Sequence, residues 1–146
     1  MIGSPFQTSE MLVKDLKFIE KLSPEMCGIG PFVPHKDTKF KNENHGDVSL
    51  VLMLLSIIRL LKPNILLPAT TALGTVDPLG REKGILHGAN VVMPNLSPVK
   101  HRKDYSLYDN KICTGDEAAQ CIGCLADRMK KIGYEIVTDR GDYTEK

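Results

Sequence analysis

Residues 65–94 read ILLPATTALGTVDPLGREKGILHGANVVMP. Three apolar residues, Ile65 to Leu67, open into Pro68-Ala69-Thr70-Thr71. Asp77-Pro78 has the form of a helix start. Aspartate is a good N-cap, and proline suits the first helical position, where an N–H would be unpaired anyway. Gly88 suits a helix C-cap. Asn90 to Met93 is a second β-rich run, ended by Pro94. Strand, helix, strand in so short a stretch reads as a βα unit feeding a parallel sheet.

The same alternation extends in both directions. Met1 to Gly3 reads as the tail of a first strand, and Met26 to Gly30 as a second. Between them, Thr8 or Ser9 caps a helix whose apolar face is Leu12, Leu16, Ile19 and Leu22, with Pro24 as its stop. A long loop from Pro31 to about His45 leads to Asp47, the N-cap of a helix apolar nearly all round from Val48 to Leu61. Such a helix is expected to be buried on most sides. After Pro94 an irregular stretch runs to Cys113. Thr114-Gly-Asp-Glu117 then has the form of a capping box for a helix reaching Lys131. Gly133 stops it, Tyr134 to Val137 reads as a last short strand, and Thr138 to Lys146 as a polar tail.

Composition excludes several classes. The chain has 146 residues, a net charge of +1, 42% hydrophobic and 25% charged residues, four cysteines and no tryptophan. That is one domain with an ordinary core. A near-neutral chain offers no field to hold nucleic acid or an anionic membrane. The greasiest run, Leu50 to Leu61, carries Arg59 and falls short of the roughly 20 residues a spanning helix needs. The first ten residues lack the basic and apolar regions of a signal peptide, so a cytoplasmic location with reduced cysteines is expected. The length is also short of a complete eight-stranded α/β barrel, which takes roughly 200 residues or more.

In parallel α/β architectures ligands gather at the carboxyl ends of strands. Here those ends are rich in small, hydroxyl and backbone-exposing residues. Thr70 and Thr71 offer hydroxyls to an anion or carboxylate. On the residues alone, a turn in which they satisfy their own backbone is the better reading. Met26 and Met93 end neighbouring strands and suit a core as well as a cavity. Tyr105 and Tyr108 follow the basic run Lys100 to Lys103 and read as half-buried rings on a solvated loop. Cys113, Cys121 and Cys124 form a C-x7-C-x2-C pattern. Thiolates at such spacing hold soft metals or iron–sulfur clusters. The alternative is small hydrophobes on the core face of a helix, beside Ala118, Ile122 and Leu125. Cys27 reads as packing within a strand.

Longer stretches carry a family resemblance. Gly28-Ile-Gly-Pro-Phe-Val-Pro-His-Lys-Asp-Thr38, Pro68-Ala-Thr-Thr-Ala-Leu-Gly-Thr75, Gly80-Arg-Glu-Lys-Gly84, Gly88-Ala-Asn-Val-Val-Met-Pro-Asn95 and Lys111-Ile-Cys-Thr-Gly115 closely resemble the HydE family of FeFe-hydrogenase maturases. These are radical S-adenosylmethionine enzymes related to biotin synthase. The resemblance implies a (β/α)8 barrel whose N-terminal half carries a C-x3-C-x2-C loop for a 4Fe-4S cluster and S-adenosylmethionine. Reductive cleavage then yields a 5′-deoxyadenosyl radical that acts in the barrel cavity, during assembly of the hydrogenase's di-iron subcluster. The chain has no C-x3-C-x2-C and matches the C-terminal half only. S-adenosylmethionine and its 4Fe-4S cluster are therefore expected only in a full-length enzyme.

By resemblance, Thr70 and Thr71 match paired threonines at an anion site. Met26 and Met93 match cavity methionines, and Tyr105 and Tyr108 match tyrosines near the cavity. Cys113, Cys121 and Cys124 match cysteines that hold an accessory 2Fe-2S or 4Fe-4S cluster in some members. The opening Met1-Ile-Gly-Ser-Pro-Phe-Gln-Thr8 departs from the family's Met-x-Gly-Leu-Pro-Gly-Gln-Thr at Ser4 and Phe6. Phenylalanine there replaces a glycine and its backbone freedom.

The expected fold is α/β: the C-terminal half of a (β/α)8 TIM-type barrel, about four βα units plus a C-terminal helix. Residues 1–112 form the half-barrel, and residues 113–146 the helix, cysteine motif and tail. Open sheet edges imply poor solubility, dimerisation or a partner. The expected partners are an N-terminal half-barrel or a second copy, together with hydrogenase maturation proteins. No radical chemistry is expected from this chain alone. The competing readings are a non-enzymatic metal-binding module and an inactive truncated gene product.

Overall fold

A computed structural model describes residues 1–105, 107–112 and 118–143. Its helices are α1 (Ser9–Leu22), α2 (Val48–Leu61), α3 (Thr71–Val76), α4 (Gly80–Leu86) and α5 (Ala118–Lys131), with a short 3-10 helix at Val99–Tyr105. The first two begin where their caps dictate. Thr8 Oγ1 accepts the Met11 N–H at 3.4 Å, and Asp47 Oδ1 accepts the Ser49 N–H at 2.8 Å.

The four expected strands do not form ladders. Among the described residues the β-structure consists of isolated parallel bridges: Ile2 with Pro31, Met26 with Leu66, and Pro68 with Val91. Order and direction follow the sequence expectation, but the lengths do not. The cause is stagger. The 26–31 segment meets its first neighbour at Pro31 and its second at Met26, so little overlap remains on either side. Pro31 and Pro68 also lack the N–H that a longer ladder would use. The slanted bonds that remain run from Ile2 N–H to the Gly30 carbonyl (2.9 Å), Cys27 N–H to the Leu66 carbonyl (3.0 Å) and Ala69 N–H to the Val91 carbonyl (2.9 Å).

The core lies on one side of these segments. Ile65, Leu67 and Ala69 alternate toward the helices and are buried against Leu55 and Ile58 of α2 and Leu73 of α3. Arg59 ties the end of α2 to the next turn, donating from Nε to the Gly88 carbonyl at 2.8 Å.

Other expectations are met in part or corrected. Helix α2 is buried on most sides as expected, through Val51, Leu52, Leu54, Leu55 and Ile58, while Met53, Leu60 and Leu61 are exposed. Leu22 is also exposed, because Ser23 turns left-handed (φ 50°) and ends α1 there. The helix assigned to Asp77-Pro78 starts at Gly80, and Asp77 instead accepts the Leu79 N–H in the turn between α3 and α4. Among the described residues 134–137 make no β-bridge and form no strand; the Tyr134 N–H instead closes the end of α5 on the Met129 carbonyl at 3.0 Å. Arg102, in the run read as solvated, is buried and donates to the Ser97 and Asn95 carbonyls. The capping box at 114–117 lies outside the described residues.

Two backbone positions give opposite predictions. A Cβ at Gly46 would lie 2.1 Å from the Ile2 carbonyl oxygen and 2.9 Å from the Phe32 nitrogen. Gly46→Ala should therefore lose about 3 kcal/mol or more in urea unfolding. Gly28, with nothing within 4 Å, should tolerate alanine within about 0.5 kcal/mol. Phe6 stands at φ 68° and is exposed. Phe6→Gly should raise stability by about 0.5–1 kcal/mol, because the left-handed strain outweighs the added chain entropy. A loss of stability would contradict this.

Candidate functional site

The bridges bring Met26 and Met93 to one cavity of about 540 Å³. Leu66 and Val91 line it beside them, with Ile85, Ala89 and Met129 of the core on its inner side. Residues of the 134–141 stretch complete the lining, Ile136 among them. Sequence reading missed this contribution, having assigned that stretch to a strand and a tail. The signal was the pair Ile136-Val137 in an otherwise polar segment.

Thr70 and Thr71 stand where the 65–69 segment enters α3. Thr70 is the N-cap, and its Oγ1 accepts the Leu73 N–H at 3.3 Å. Thr71 Oγ1 accepts from Arg81 Nη2 at 3.2 Å. Neither threonine lines the methionine cavity. Tyr105 is exposed at the end of the 3-10 helix, and Tyr108 is half-buried. The stretch carrying Tyr108 crosses the carboxyl ends of the segments. Asp109 N–H donates to the Pro34 carbonyl, and Ile112 N–H donates to Thr75 Oγ1.

Cys121 and Cys124 lie one turn apart on α5 but differ in exposure. Cys121 is buried in a stripe with Leu125 and Met129, and its Sγ accepts the Asn95 N–H at 3.4 Å. Cys124 is exposed, and so is Ile122, which was assigned to the core face. Cys113 lies outside the described residues. Among the described residues no three His, Cys, Asp or Glu side chains group to hold a metal ion. The Asn95 N–H is nevertheless the kind of donor that steadies a thiolate ligand. Cys27 packs against the core, and burial pushes its thiol pKa up.

One buried ion pair was not foreseen. Glu82 of α4 is buried and takes a two-pronged ion pair from Arg128 of α5, Nε to Oε1 at 2.5 Å and Nη2 to Oε2 at 2.6 Å. Burial alone would push the Glu82 carboxyl up. The Arg128 hydrogen bond, a backbone bond and the charges of Arg128 and Arg81 outweigh it and hold the group below 4.5. The available signal was the Arg-Glu pair between Gly80 and Gly84. A Cβ at Gly80 would lie 2.2 Å from the Leu73 carbonyl oxygen, so α4 meets α3 backbone to backbone and its charged residues are carried inside.

Over 141 residues, 97% of its length, the chain is 43% identical to the FeFe hydrogenase maturase subunit HydE of Thermotoga maritima. The resemblance to HydE holds across nearly the whole chain. A 3-methylornithine synthase of Methanosarcina acetivorans is 25% identical over 86% of the chain. The chain spans only 40% of the length of HydE and 35% of the synthase. No family profile matches it. No helix among the described residues is long and apolar enough to cross a membrane.

The Glu82–Arg128 pair has a measurable acid signature. A depressed folded-state pKa contributes stability that is present above about 4.5 and lost as pH falls through the folded value. Arg128→Met should cost about 3–5 kcal/mol at pH 7, since it strands a buried carboxylate. It should also flatten the acid limb of a stability-against-pH curve. An unchanged acid limb would contradict the assignment.

Proposed function

We propose that the chain is the substrate-cavity half of a HydE-like radical S-adenosylmethionine maturase, acting in assembly of a hydrogenase di-iron site. The carrying observation is 43% identity along nearly the whole chain. Three parallel bridges in chain order fit four βα units of a half-barrel over residues 1–112, with residues 113–146 supplying the last helix and tail. Met26 and Met93 line the substrate cavity, Thr70 and Thr71 bind an anionic group of the substrate, and Tyr105 and Tyr108 stand near the cavity mouth.

The cysteines at 27, 113, 121 and 124 form no C-x3-C-x2-C. The 4Fe-4S cluster and S-adenosylmethionine therefore belong to the N-terminal half of such a barrel, and no step of the radical reaction runs through the cysteines at these four positions. Cys121 and Cys124, with Cys113 as the third ligand, would hold the accessory 2Fe-2S or 4Fe-4S cluster. When bound, that cluster supplies a one-electron redox centre. The N-terminal half or a second copy covers the open segment edges. The working location is the cytoplasm, among the hydrogenase maturation proteins.

The test is anaerobic iron–sulfur reconstitution followed by a S-adenosylmethionine cleavage assay. The chain alone should take up iron in a form lost in Cys121→Ser, without cleaving S-adenosylmethionine. Cleavage should appear only when an N-terminal half bearing C-x3-C-x2-C is added. Cleavage by the chain alone, or none from the two halves together, would overturn the proposal.

A further inference from the structure

The stretch after α5 runs across the molecule rather than away from it. Past the Tyr134 N–H that closes the helix, its polar contacts among the described residues are internal. The Arg140 N–H donates to Asp139 Oδ1 at 2.7 Å, and Arg140 pairs with Asp142 at 3.1 Å. Apolar contact is left to hold the stretch in place. Ile136 is half-buried, packs on the core and lines the cavity of about 540 Å³ with Met26, Met93 and Met129. Tyr143 is half-buried too, in a second cleft of about 390 Å³ with Ser23, Pro24 and the 61–65 turn. Residues 137–142, between these anchors, are all exposed.

The two anchors fix its course. Ser23 and Pro24 come just before the segment that pairs from Met26, and Asn64 comes just before Ile65. The stretch therefore crosses the amino ends of the parallel segments, opposite the carboxyl end where Thr70 and Thr71 stand. It bends at two left-handed glycines, Gly133 at φ 83° and Gly141 at φ 69°. A Cβ at either would meet nothing within 4 Å. What these positions require is conformational freedom, not space. Beneath the stretch lies Met129, which is 2% exposed, whereas Met11 of α1 and Met53 of α2 are about half exposed.

We propose that residues 134–143 are a strap across the amino ends of the segments: Ile136 and Tyr143 pin it, Gly133 and Gly141 hinge it, and its release opens the methionine cavity from the side opposite Thr70 and Thr71 while the rest of the fold stays intact. A cover held by apolar contact opens locally at far lower cost than a segment tied by backbone bonds on both sides. The strap acts in the same way whichever molecule the cavity takes, so it stands apart from the maturase reading.

The test is oxidation of the intact chain by dilute hydrogen peroxide, read methionine by methionine in a mass spectrometer, together with amide exchange at Leu67. In the wild type Met11 and Met53 should oxidise quickly and Met129 slowly. Ile136→Asp should speed Met129 about tenfold or more, because a carboxylate gives up the apolar contact that pins the strap. Met11, Met53 and the Leu67 amide should keep their wild-type rates. Val137 is 78% exposed, so Val137→Asp should behave as wild type. Should Ile136→Asp fail to fold, Ile136→Ala and Tyr143→Ala decide: each should speed Met129 in the same direction by a smaller factor. Wild-type oxidation of Met129 in the Ile136 and Tyr143 variants would overturn the proposal. So would an equal rise in Val137→Asp. A Met129 rise matched by faster exchange at Leu67 would also overturn it, since the stretch would then open only with the whole fold.

Discussion

The structure depends on the five residues from Ile65 to Ala69. This segment is bonded on both sides. Leu66 exchanges backbone bonds with Glu25 and Cys27, and Leu67 and Ala69 with Asn90 and Val91. Asn90 Oδ1 also accepts the Leu67 N–H at 2.8 Å. Alternation then sends Ile65, Leu67 and Ala69 into the helical core and leaves Leu66 for the cavity. One short segment thus holds the parallel order together and seals one face. It also delivers the chain to Thr70 at a fixed point and direction.

Its other face explains the surface of the molecule. Met26 and Met93 are about half exposed, and the cavity they share with Leu66 and Val91 has core on one side only. Met1 is 78% exposed beside Ile2, the first residue to pair. Apolar surface of this kind invites a covering partner.

Much of this was legible in the sequence, for local reasons. Helices α1 and α2 were readable because Thr8 and Asp47 are caps whose bonding partners lie two or three residues away. The parallel segments were readable as apolar runs, but their stagger was not, since nothing in one run states which residue of the next it faces. Helix α3 was missed because six residues carry no helical period. Its start at Thr70 matches the local-turn reading, since the threonine hydroxyl accepts the Leu73 N–H of its own backbone turn. The Glu82–Arg128 pair spans 46 residues, and its burial follows from the close contact at Gly80, which only the assembled helices reveal. Cys121 and Cys124 have the spacing of a shared helix face, but the helix's orientation buries one and exposes the other.

The most direct test of the central segment is amide hydrogen exchange on the intact chain. The amides of Cys27, Leu66, Leu67, Ala69 and Val91 should be among the slowest to exchange, and they should open together as one cooperative unit. Unprotected exchange at Leu66 and Ala69, with helix α2 still protected, would mean that the parallel segments are not paired in solution. The placement of Thr70 and Thr71 would then lose its foundation.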